Sequence, residues 1–103
     1  MIAEEDTLAG YHAVHGRAPA FEGSDGRPYS VGVFSDDDPD PEGRYGASLL
    51  FIRWSPDNAP DGHLESDYLA RAVDPAAAEA AVGQLKLLEV KTILDHLIAT
   101  SRG

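Results

Sequence analysis

The chain contains no cysteine. Disulfides, thiolate nucleophiles, iron–sulfur clusters and cysteine-ligated zinc are excluded with it. Lysine is scarce: only Lys86 and Lys91 are present, and the arginines are scattered. A nucleic-acid binder needs clustered Lys and Arg to neutralise phosphates, so no nucleic-acid partner is expected. No apolar run approaches the roughly 20 residues that span a bilayer. Met1-Ile2-Ala3-Glu4-Glu5-Asp6 is acidic and has no apolar core. Neither a membrane partner nor a signal peptide is therefore expected, and the chain reads as cytoplasmic. Neither phosphate-cradling glycine pattern occurs, and no serine has a Gly-x-Ser-x-Gly setting. No catalytic residue and no cofactor is assigned.

What is present is one small domain, residues 1–103, of 11.0 kDa. The composition is that of a globular chain, with 43% hydrophobic and 25% charged residues. The net charge is −10. Most of the excess acid lies in residues 35–67, which carry nine acidic and two basic side chains. Such a surface favours solubility and suits a basic partner or a cation. Abundant Ala, Asp, Arg and Gly with little Lys gives the chain a bacterial-like composition.

Tyr11 to His15 is a short strand or the end of a short helix, bounded by Gly16 and Pro19. Asp25-Gly26 signals a tight hairpin turn. Beyond it Tyr29, Val31 and Val33 alternate with Ser30 and Gly32, as in a half-buried strand. Ser35 to Gly43 is an Asp/Pro loop. Arg44 to Trp54 is the strongest strand. Its run Leu49-Leu50-Phe51-Ile52 predicts burial on both faces and a central place in the sheet. Ser55 to Gly62 is a second Pro/Asp/Gly loop. His63 to Val73 fits strand or helix, and strand is preferred.

Asp74-Pro75 opens a helix as N-cap and first helical residue, and Gly83 reads as its stop. From Leu87 to Thr100 the spacing of Val90, Ile93, Leu94, Leu97 and Ile98 draws one apolar stripe on a helix. The expected architecture is α+β: an antiparallel sheet of three to four strands packed on one face by two C-terminal helices.

Four sets of residues are candidates for function. On a strand, His63, Glu65 and Asp67 share a face, and an imidazole with two carboxylates suits Zn, Mn or Fe. His63-x-Glu65 begins a zinc-deaminase pattern, but the Pro-Cys-x-x-Cys half is absent. Asp36, Asp38, Asp40 and Glu42 alternate like the front of a calcium loop, interrupted by Pro39 and Pro41. Asp36, Asp37 and Asp38 are also the natural contact for a basic protein. His12 and His15 are spaced for a metal only on one helix turn. Trp54 ends the central strand beside Arg53, where it caps the core, anchors an interface or lines a ligand pocket; Arg53 is expected to pair with a nearby carboxylate.

The C-terminal helices can cover only one sheet face. The other, with Leu50, Ile52 and Trp54, needs a cover. That cover is either the segment around Leu8, Tyr11 and Val14 or a second copy in a homodimer. The reading is a small acidic protein, a non-enzymatic interaction or self-associating domain. The alternative is a small-molecule or metal-binding module on the His63/Glu65/Asp67 face.

Overall fold

The computed structural model describes residues 6–101; Met1 to Glu5, read above as no signal peptide, lie outside them. The elements are helix α1 (Leu8–His15), strands β1 (Ala20–Glu22), β2 (Pro28–Ser35), β3 (Tyr45–Trp54), β4 (Pro60–Glu65) and β5 (Ala70–Ala72), then helices α2 (Pro75–Gly83) and α3 (Leu87–Ser101). The class is α+β. The sheet is antiparallel with order β1-β2-β3-β4, and β5 also pairs with β3.

Three connections use one turn design. In residues 23–27, 40–44 and 55–59 the first N–H donates to the carbonyl four residues on, at 2.8 Å each time. The fourth residue donates back to the first carbonyl at 2.9 Å. That fourth residue is left-handed in all three: Gly26 (φ 77°), Gly43 (φ 79°) and Asn58 (φ 64°). Gly and Asn are the residues that tolerate this conformation. The Asp25-Gly26 signal is thus realised, and the Asp/Pro loop contains a tight turn within it.

β3 is central, as its pattern predicts. Its odd-numbered side chains Ala47, Leu49 and Phe51 have 0% exposure. They join Tyr29 and Val31 from β2, Ala78 and Val82 from α2, and Val90, Leu94 and Ile98 from α3 in one core. Ile93 and Leu97 flank the α3 stripe, half-buried. The expectation that both faces of β3 are closed fails at its middle. Leu50 and Ile52 are only half-buried, because all described helices lie on the other side.

His63 to Val73 is extended but split in two. Pairing runs from Leu50↔Glu65 to Ala47↔Ala70, so residues 66–69 stand opposite only Ser48 and Leu49. The bulge is held by Ser66 N–H to the Leu49 carbonyl at 2.9 Å and Leu69 N–H to the Ala47 carbonyl at 2.8 Å. This split supplies the strand beyond the three or four expected.

Asp74 caps α2, its Oδ1 accepting the Ala77 N–H at 2.7 Å, with Pro75 leading the helix. Gly83 is not the stop. It is the last helical residue, and the cap is Gln84 with ordinary right-handed dihedrals. Gly83 serves close packing instead: a Cβ there would lie 3.1 Å from Ala9 Cβ of α1. Lys86 N–H donates to Glu89 Oε1 at 3.0 Å at the start of α3.

The segment before α1 is strapped to the α2–α3 connection. Leu8 N–H donates to the Leu85 carbonyl at 2.8 Å, and Leu87 N–H to the Asp6 carbonyl at 2.6 Å. Thr7 caps α1 by accepting the Gly10 N–H at 3.0 Å. Leu8 enters the core. Residues 6–15 therefore pack in the helix layer and do not cross to the opposite sheet face.

Candidate functional site

The helix-free face of the sheet is built by strand alternation. β3 contributes Gly46, Ser48, Leu50, Ile52 and Trp54. Cross-strand pairing sets Ser30 of β2 beside Ile52, Gly32 beside Leu50 and Phe34 beside Ser48. On the other flank β4 sets His63 beside Ile52 and Glu65 beside Leu50. Phe34 is 48% exposed. Trp54 is half-buried, and its Nε1 donates to Ser30 Oγ at 3.0 Å. A shallow groove of about 530 Å³ runs along Phe34, Leu50, Ile52, Pro60, Gly62, His63 and Glu65.

Gly32 needs separate comment. Glycine weakens a strand interior unless a bulge, bend or close approach requires it. Pairing through Gly32 is in unbroken register, and its φ is not positive. A Cβ at this position meets nothing within 4 Å. Among the described residues, nothing demands glycine here. Gly32 lines the cleft between α1, α2 and β2 and not the groove along Leu50 and Ile52.

One end of this face is closed by the bulge. Tyr68 lies over Gly46, where a Cβ would sit 2.7 Å from its ring. The Tyr68 hydroxyl donates to Asp36 Oδ2. Arg71 lies 4.9 Å from the centre of the Tyr68 ring and pairs with Asp40 at 3.2 Å. The acidic loop is thus moored to the sheet edge. The Tyr68 hydrogen bond, with the Asp38 and Asp37 N–H groups, holds the Asp36 carboxyl below the ordinary value against a small burial effect. The Arg44 N–H does the same for Asp40, assisted by Glu42 N–H and Arg71.

On the helix side, Arg53 lies across Gly62 and pairs with Asp61 at 2.8 Å; Arg27 pairs with the same carboxylate at 2.5 Å. The carboxylate expected for Arg53 is therefore Asp61. Hydrogen bonds from Arg53 and then Arg27 hold Asp61 below its ordinary pKa. Asp25 joins this end by accepting the Tyr29 hydroxyl at 2.8 Å. Burial would raise Asp25, but the Arg27 N–H and the Tyr29 hydroxyl outweigh it and lower its pKa.

The metal candidates fare differently from one another. Among the described residues, only Asp36, Asp37 and Asp38 bring three ligand atoms within 4.8 Å of one another. His63, Glu65 and Asp67 form no such set: the first two lie on β4, and Asp67 lies beyond its end in the bulge. His12 and His15 do share the α1 helix, His15 against the Tyr11 ring at 4.2 Å between centroids. A cleft of about 560 Å³ between α1, α2 and β2 is lined by Leu8, Ala9, Val31, Val33, Ala76 and Ala80, with His12 and Glu79 also on its walls. Ala9, His12, Ala76, Glu79 and Ala80 are all exposed, so it is an open furrow between helices.

No protein-family model, curated protein or solved structure matches the chain. Function is accordingly argued from its own surfaces. No helix among the described residues is long and apolar enough to cross a membrane.

Two functional features escaped the sequence reading. Phe34 was hidden behind the Tyr29, Val31, Val33 face, although the same alternation places Ser30, Gly32 and Phe34 on the other. The Tyr68–Asp36 and Arg71–Asp40 mooring is between residues far apart in the chain, and no local pattern marks it.

Proposed function

We propose that this chain is a non-enzymatic protein-interaction domain whose working surface is the helix-free face of the sheet. The observation that carries the reading is the position of α1. With α1 strapped beside α2, the described residues leave Phe34, Leu50, Ile52 and Trp54 without an intramolecular cover. A contiguous apolar patch bordered by polar groups, here Ser30, His63 and Glu65, is characteristic of a docking surface.

The test is hydroxyl-radical footprinting in the cells that make the protein, against dilute purified protein. Phe34, Ile52 and Trp54 are expected to be oxidised in dilute solution and protected in the cell. Equal oxidation in both settings refutes the reading.

A second reading is a basic protein docked on Asp36, Asp37 and Asp38. It is favoured by the convergence of those carboxylates and by the net charge of −10. Such a complex forms faster at low salt. Reversing Asp36, Asp37 and Asp38 to lysine is expected to weaken it, and reversing Asp37 and Asp38 alone, which spares the Asp36–Tyr68 hydrogen bond, is expected to weaken it with the fold intact. Capture indifferent to salt and to reversal assigns the loop to solubility.

A further inference from the structure

We propose that the open edge of β2, Val31 to Ser35, binds an extended peptide as an added strand, with alternate apolar side chains of the peptide in the cleft between α1, α2 and β2 and a Lys or Arg beside Glu79. This surface is separate from the helix-free face, so its occupancy is tested independently.

The hydrogen-bond phase of β2 leaves this edge open. Asp36 N–H donates to the Gly46 carbonyl at 2.9 Å. In an antiparallel ladder the direction of the backbone groups alternates from residue to residue. The register of β2 on β3 is unbroken, so Phe34, Gly32 and Ser30 turn their N–H and C=O groups toward β3. Those of Val31, Val33 and Ser35 turn the other way. On that side β1 pairs only with Pro28 to Ser30. Pro19, next in line before β1, has no N–H to offer the Val31 carbonyl. Among the described residues, no backbone hydrogen bond satisfies Val33 or Ser35 on this side.

The other edges are guarded. β1 has three residues, and β4 begins at Pro60 and is followed by the bulge at residues 66–69. Short, interrupted and proline-bearing edges resist strand addition. Val31 to Ser35 has no charge, no proline and no bulge. Such an edge is a template for a guest strand, with backbone bonds for affinity and alternate side chains for specificity.

The cleft sets the chemistry of the guest. A strand beside β2 turns every second side chain to the helix side. There it meets Leu8, Val31, Val33, Ala76 and Ala80, a lining that suits apolar side chains. The ionisable groups among the described lining residues are His12 and Glu79. Ser35 Oγ donates to Glu79 Oε2, which places this carboxylate at the Ser35 end of the edge. Glu79 Oε1 has no partner among the described residues. A cationic side chain of the guest completes it. The net charge of −10 favours a basic guest and opposes a second copy of the chain.

The experiment is an NMR titration of the full chain with acetyl-Lys-Thr-Val-Thr-Val-Thr-Lys-amide at up to about 1 mM, the range of a weak complex. Its Lys and Val side chains share one face, and a Lys meets Glu79 in either strand direction. Before addition, the Gly32 and Phe34 amides should exchange slowly with deuterium and the Val33 and Ser35 amides quickly. With peptide bound, Val33 and Ser35 should become slow as well. The same peptide N-methylated at every Val and Thr lacks the central donors and should bind about tenfold more weakly. Replacing both Lys by Glu should also weaken binding about tenfold, through like charge at Glu79. Glu79→Gln keeps an acceptor for Ser35 and should narrow the difference between the Lys and Glu peptides. No binding, or binding that leaves Val33 and Ser35 exchanging quickly, overturns the proposal. Equal affinity of the N-methylated peptide means that side chains fill the cleft without a strand being added, and also overturns it. Shifts confined to Phe34, Leu50, Ile52 and Trp54 place the peptide on the helix-free face; that result overturns the edge and supports the face.

Discussion

Leu49 and Leu50 are identical side chains at adjacent positions of β3, and they point to opposite faces. Truncating each in turn measures the asymmetry of the sheet. Leu49 has 0% exposure and lies in the closed core beneath the helices. Leu49→Ala therefore removes transfer free energy and leaves a cavity, at a cost of about 2–5 kcal/mol. Leu50 is half-buried on the helix-free face. Its truncation leaves no closed cavity, and partial transfer at about 0.8 kcal/mol per methylene gives a loss of about 1 kcal/mol. The expected gap is about 2 kcal/mol, or about 10 °C in melting temperature for a domain of this size. The assay is urea unfolding by circular dichroism at low micromolar protein, dilute enough that association adds nothing to stability. Both variants should retain the wild-type dependence on denaturant. Equal losses, within about 0.5 kcal/mol, would mean that the second face is as closed as the first and would remove the basis for a docking surface.

Asp74→Ala should cost about 1 kcal/mol through loss of the α2 cap, read by the same urea titration. Acid should destabilise the fold. Asp61, Asp36, Asp40 and Asp25 are all held below their ordinary values, so the unfolded chain takes up protons first. Their stabilisation is complete above the unfolded carboxylate value of about 3.9 and is lost as pH falls through the folded values. Urea midpoints should drop through that window, and Asp61→Asn should make the drop shallower. Melts with Zn²⁺, Mn²⁺, Ca²⁺ or EDTA should coincide; a rise near 2.7 kcal/mol at a hundredfold excess over Kd would instead establish a metal site, and His63→Ala would show whether it is on β4.

The class of the fold was legible because periodicity is local. The α3 stripe of Val90, Leu94 and Ile98 and the α2 cap at Asp74 are set by residues within a few positions of one another. The same holds for the left-handed glycine after Asp25 and for the alternation along β2. Gly83 was misread for the complementary reason. Glycine serves both as a helix stop and as a point of close approach, and only the neighbour reveals which. Here that neighbour is Ala9, some seventy residues earlier.

The candidate site was legible in half. Alternation along β3 placed Leu50, Ile52 and Trp54 together on one face and required that something cover them. Whether α1 did so depended on a contact at long sequence range. The hydrogen bonds of Leu8 to Leu85 and Leu87 to Asp6 decided it. The placement of His63, Glu65 and Asp67 failed for a related reason. Strand parity holds only while the strand continues, and the extra residues opposite Ser48 and Leu49 end it before Asp67. That bulge seats Tyr68 over Gly46 and brings Arg71 to Asp40. Sequence by itself determined the elements, their periodic faces and the surplus of negative charge, since these depend on residue type and spacing alone. Tertiary structure decided which face each helix covers and which distant side chains meet, because those depend on the path of the whole chain.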